Sequence, residues 1–68
     1  ELIIDKKSII FNLSSEMQNK DIDVYVNNEL LMTAKASKKS LIKIKKNNNL
    51  GKLILDAKNR GEKIQLFA

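Results

Sequence analysis

Apolar and polar positions alternate along most of this chain, most regularly between Asp21 and Ala36. The stretch DIDVYVNNELLMTAKA alternates on both sides of a central Asn27-Asn28 pair, which is the pattern of a β-hairpin closed by a tight turn. Ile22, Val24 and Val26 fall on one face of the first predicted strand, with Asp23, Tyr25 and Asn27 on the other. Leu30, Met32, Ala34 and Ala36 share a face of the second, leaving Leu31, Thr33 and Lys35 opposite. Asn accepts positive φ more readily than any residue but Gly, which suits Asn-Asn to the turns that match strand twist.

Turn-forming clusters punctuate the rest of the chain: Asp5-Lys6-Lys7, Ser14 to Lys20, Asn27-Asn28, Ser37 to Ser40, Lys46 to Gly51, and Asn59-Arg60-Gly61-Glu62. Between them lie seven short apolar-rich runs, at 2–4, 8–13, 22–27, 29–36, 41–45, 52–58 and 63–67. This spacing predicts an all-β domain of about seven strands, a small antiparallel sandwich or a small barrel. Its inward faces would carry Ile9, Phe11 and Leu13, the hairpin residues, Ile42 and Ile44, then Ile64 and Leu66. One segment reads two ways. Leu50, Leu53, Ile54 and Ala57 form a helical stripe with Asn49 as N-cap and Gly61 as its stop, which would make the domain α+β with a helix at about 50–60. Leu53, Leu55 and Ala57 also alternate as a strand. The strand is preferred because its neighbours are strands and its flanks suit hairpin turns.

At 68 residues, residues 1–68 form one domain with one small core. Neither Cys nor His is present, which excludes disulfides and the usual zinc sites. No run approaches the ~20 apolar residues of a membrane-spanning helix, so no membrane insertion is expected. The chain opens at Glu1 and closes on IQLFA, as a module of a larger protein would.

Catalytic and metal sites find little support. The five serines and one threonine have no His to activate them. A Ser–Lys dyad among Ser37, Ser40 and Lys38-Lys39 would place the lysine in a solvated turn, where it stays protonated. Asp21 and Asp23, spaced two apart, share a strand face with Asn27 nearby, but lack the dense Asp/Asn/Gly pattern of a calcium loop. The expectation is therefore no enzyme, no cofactor and no metal.

Charge is distributed unevenly. The first 29 residues hold six acids and three lysines, whereas no acid separates Glu29 from Asp56. That interval contains Lys35, Lys38, Lys39, Lys43, Lys45, Lys46 and Lys52, the candidate binding face. Lys43 and Lys45 project from one face of a strand whose other face is Ile42 and Ile44. Such a stripe suits a phosphate backbone. Against this, the chain has only Phe11, Tyr25 and Phe67 for base stacking, and the interval has no Arg to read base edges. The bland reading is a solvated sheet face in a Lys- and Asn-rich chain whose lysines discourage edge-to-edge pairing.

From Asp21 to about Lys63 the chain resembles bacterial immunoglobulin-like (Big-type) domains. VYVNN at 24–28 stands for the family's VYVNG strand and turn, TAKA at 33–36 for its TA-x-A strand, and LIKI at 41–44 for the apolar strand that follows. Gly51 precedes KLILDA, and NRGEK at 59–63 precedes the closing strand. Asn28 stands where Gly is usual. The resemblance implies a strand at 52–58 and a non-catalytic spacer or adhesive module of a secreted or surface-attached bacterial protein, outside the cell or at its surface. Its partners would be neighbouring domains of the parent chain and a protein or glycan ligand. The alternative is a small basic β-domain that binds nucleic acid through the lysine face.

Overall fold

A computed structural model describes residues 2–68. The protein is β-rich, with two three-stranded antiparallel sheets and one short helix. Strands β1 (Leu2–Ile4), β2 (Ser8–Asn12) and β5 (Leu41–Lys45) form the first sheet in the order β1-β2-β5. Strands β3 (Asp21–Val26), β4 (Glu29–Lys35) and β6 (Ile64–Phe67) form the second in the order β4-β3-β6. A single 3₁₀ turn, Ser15–Met17, joins β2 to β3, and helix α1 (Asn49–Asn59) lies between β5 and β6.

Alternation places the core. Ile9 pairs with Ile44 and Phe11 with Ile42 across the first sheet, and all four are buried. Ile22 and Val24 of β3 and Ala36 just past β4 join them, and Ile54 brings the helix into the same cluster. Leu13, Met17, Leu31, Met32, Ile64 and Leu66 pack around it as partly buried neighbours. Each fully buried Ile contributes about 1.5–3 kcal/mol relative to an exposed one.

The hairpin at 21–36 forms as its pattern predicts. Asp21 to Val26 pair antiparallel with Lys35 to Glu29, and Asn27 and Asn28 turn the chain at φ of 52° and 66°. Positive φ at both central residues is what the primed two-residue turns demand. One face assignment is corrected. Val24 pairs with Met32 and Tyr25 with Leu30, so Leu31 is the extra residue of a β-bulge. The bulge shifts side-chain parity. Leu31 packs against the core, while Leu30, expected beside Met32, is 53% exposed.

The preferred reading of residues 52–58 is also corrected, because they are helical, as the α+β alternative has it. Among the described residues six strands result, not seven. The helix has a defined start and stop. Asn48, one residue before the expected N-cap, accepts the Leu50 amide on its side chain at 2.8 Å. At the other end Glu62 N–H donates to Ala57 C=O at 2.9 Å and Gly61 N–H to Lys58 C=O at 3.1 Å. With Gly61 at φ +72°, this is a Schellman stop. Gly51, Ile54 and Ala57 are its buried positions, and Leu53 of the expected stripe is 50% exposed. A Cβ on Gly51 would lie 2.2 Å from the backbone oxygen of Lys45. The helix can fold back onto the end of β5 because this position has no side chain.

Candidate functional site

Two loops and an edge strand converge on the outer side of the first sheet. Ser8 pairs with Lys45 and Ile10 with Lys43, so these residues share the face opposite the buried Ile9 and Ile44. The turn between β1 and β2 lies at one end of this face. Asp5 N–H donates to Ser8 C=O at 2.9 Å, and the Lys6 amide donates to Asp5 Oδ1 at 2.8 Å. The turn after β5 lies beside it, because Lys46 N–H donates to Lys7 C=O at 3.0 Å. Between them is an open depression lined by Asp5, Lys6, Lys7, Lys43, Lys45 and Lys46, with Ser8 and Asn47.

The fold therefore gathers only part of the predicted lysine face. Lys43, Lys45 and Lys46 meet in the depression. Lys35 ends β4 opposite Asp21, in the other sheet. Lys38 and Lys39 occupy the turn that enters β5, whereas the depression lies where β5 ends. Lys52 is exposed on the first turn of α1 and does not line the depression. Lys6 and Lys7 were missed by sequence reasoning because they sit in the acidic first part of the chain. The signal that would have found them is the β1–β2 hairpin. Its turn must lie at the end of β2 that pairs with the end of β5.

Polar side chains elsewhere are engaged in architecture. Ser37, once a candidate nucleophile, accepts the Lys39 and Leu41 amides on Oγ at 3.2 and 3.3 Å, and so shapes the turn into β5. Ser40 is buried at φ 59°, and its carbonyl accepts the Leu13 amide. Asp23 accepts Thr33 Oγ1 across the hairpin at 2.7 Å, and Asp21 stands opposite Lys35. Asn27 is engaged with neither aspartate in these bonds: its Nδ2 donates to Glu62 and its Oδ1 accepts the Lys63 amide. Among the described residues no three His, Cys, Asp or Glu side chains are grouped to hold a metal.

Glu62 is the focus of a clasp between the hairpin turn and the helix end. Arg60 donates to its Oε1 from Nε at 3.1 Å and from Nη2 at 2.9 Å, while Asn27 donates to Oε2. These bonds, Arg60's first and Asn27's second, hold the Glu62 carboxyl below the ordinary glutamate range, against a smaller opposing effect of desolvation. A carboxylate held ionised in this way serves as an anchor for its donors and is a poor general base. Beside the clasp a second shallow cleft runs between the hairpin turn and α1, with Leu30 and Leu53 exposed along it.

Among the described residues no helix is long and apolar enough to cross a membrane. Comparison of the chain with known protein families, with curated proteins and with solved structures gives no match in any of the three.

Proposed function

We propose that this chain is a non-catalytic structural and interaction module, a small immunoglobulin-like sandwich in which the two sheets face each other across the shared core. In this reading it is one unit of a multidomain bacterial protein, secreted or carried at the cell surface, and it spaces neighbouring domains or adheres to a protein or glycan. The observation that carries it is where the directed polar bonds go. Asn27, Glu62 and Arg60 tie the hairpin turn to the helix end, Asp23 and Thr33 join two strands, and Asn48 and Ser37 shape turns. Side chains committed in this way make a rigid unit and leave the exposed surface for contact. The resemblance of VYVNN and TAKA to Big-type strands supports the reading, while the helix at 49–59 departs from it.

Domain replacement tests it. Exchanging this unit, within its parent chain, for an unrelated domain of equal span should preserve the presentation of neighbours and abolish adhesion. Turnover of a substrate by the purified protein, lost on a single Ser or Lys substitution without unfolding, would overturn the reading.

A second reading is favoured by one observation: the fold adds Lys6 and Lys7 to Lys43, Lys45 and Lys46. On this reading the protein is a small basic domain that follows a phosphate backbone, and affinity for oligonucleotides falls steeply with added salt.

A further inference from the structure

We infer that the depression at the β1–β2 turn binds an acidic polysaccharide, a chain bearing carboxylate or sulfate groups among free hydroxyls. The inference rests on the module reading and names the ligand of its adhesive surface.

Charge complementarity comes first. Five lysines line the depression, drawn from two loops and the edge strand β5. Lys43 and Lys45 are two residues apart on one strand face, about 7 Å along the strand, and present successive cationic groups to a linear partner. Lys6 and Lys7 add two more from the β1–β2 turn, which lies beside the turn after β5.

The other side chains of the site select among polyanions. A depression between two turns takes in a polymer chain, whereas a flat bilayer would touch only its rim. Nucleic acid takes much of its affinity from its phosphates, to which single-strand binders add stacking on aromatic rings and base readers add Arg on base edges. The lining has neither. Tyr25 and Phe67 pack edge to face in the second sheet, at 5.5 Å between ring centres, and Arg60 is engaged with Glu62. Asp5 is the informative exception in a basic lining. Its carboxylate accepts hydrogen bonds from hydroxyls, which a DNA backbone does not offer. Asn47 adds an amide that both donates and accepts. Cations beside a hydroxyl acceptor suit a chain in which anionic groups alternate with hydroxyls.

The test is calorimetric titration of the protein at about 0.15 M ionic strength with a heparin-derived octasaccharide and an oligogalacturonate. Charge-matched single- and double-stranded oligonucleotides and phosphatidylserine vesicles run in parallel. At least one glycan should bind, and more tightly than either oligonucleotide or the vesicles. Replacing Lys43 and Lys45 together by Gln should weaken glycan binding by about tenfold or more, as expected for lost charge-assisted bonds. Replacing Lys35 and Lys52 together should leave it within about twofold, since charges outside the depression are largely screened. Asp5→Asn separates the ligands: it should strengthen oligonucleotide binding by relieving repulsion, and glycan binding clearly less, because the glycan also loses a charged acceptor for its hydroxyls. Thermal melts confirm that each variant is folded, and Lys6→Gln with Lys7→Gln repeats the test from the β1–β2 turn. Equal or tighter binding of oligonucleotide overturns both this inference and the adhesive reading. Absence of glycan binding, tighter binding to vesicles, equal losses from the two lysine pairs, or a gain in glycan binding by Asp5→Asn as large as the oligonucleotide's overturns the inference and leaves the module reading standing.

Discussion

The β3–β4 turn and the reversal from β5 into α1 both send the chain back on itself, by opposite means. At Asn27-Asn28 the requirement is torsional: two residues sit at positive φ, and their side chains reach outward, Asn27 to Glu62. At Lys46–Asn48 the requirement is spatial. Gly51 lies against the Lys45 carbonyl where no side chain fits, while Asn48 supplies the cap. A torsional requirement tolerates any residue that pays a modest conformational cost. A spatial one admits a single residue type.

Four substitutions test that contrast, in falling order of effect. Val24→Asp, in the strand leading to the torsional turn, places an unpaired charge among Ile22, Phe11 and their neighbours and should cost more than about 4 kcal/mol. Failure to fold, seen by circular dichroism, is the expected result, and a melt like wild type would place Val24 outside the core. Gly51→Ala should cost about 3 kcal/mol in urea denaturation, although Ala is the better helix former by about 1 kcal/mol. A neutral or stabilising result would remove space as the reason for Gly51 and erase the distinction between the two turns.

The third acts on the clasp that links the two regions. Because the folded-state Glu62 carboxyl titrates below its unfolded value, its contribution is present above about pH 4.3, the unfolded carboxyl value. It is lost as pH falls through the folded value. The stability difference between the wild type and Glu62→Gln should therefore be flat near neutrality and shrink in acid, as measured by urea melts across pH. A difference that widens in acid would reverse the assignment. The smallest effect belongs to Asn28→Gly, which should stabilise by no more than about 0.5 kcal/mol, since Asn already tolerates the torsion that Gly adopts freely. A loss above about 1 kcal/mol would show that the Asn28 side chain does more than permit the turn.

The hairpin was legible because strict alternation on both sides of Asn-Asn has one structural solution. Ile9, Phe11, Ile42 and Ile44 were legible for the same reason. The bulge was not, since in Leu30-Leu31-Met32 three apolar residues in succession carry no parity. Residues 50–57 satisfied both periods, and the deciding contact, Gly51 against Lys45, leaves no side chain in the sequence to betray it. Of the basic depression, Lys43, Lys45 and Lys46 were visible as a run. Lys6 and Lys7 were hidden because a window of sequence averages them with Glu1 and Asp5, whereas the fold sorts charges by strand register.

The clasp also orders the steps by which the chain assembles. The β3–β4 hairpin closes a two-residue loop, an event of microseconds, whereas β6 must find β3 across some 40 intervening residues. Its register depends on pieces made earlier: Asn27 N–H donates to Lys63 C=O at 2.9 Å only when the hairpin turn exists, and Glu62 reaches Asn27 only when the helix has stopped at Gly61. The closing strand is thus expected to dock last, onto a template, and it brings no fully buried side chain with it. By the same reasoning it is the first to leave, so its amides should exchange with solvent by an opening that spares the rest of the molecule.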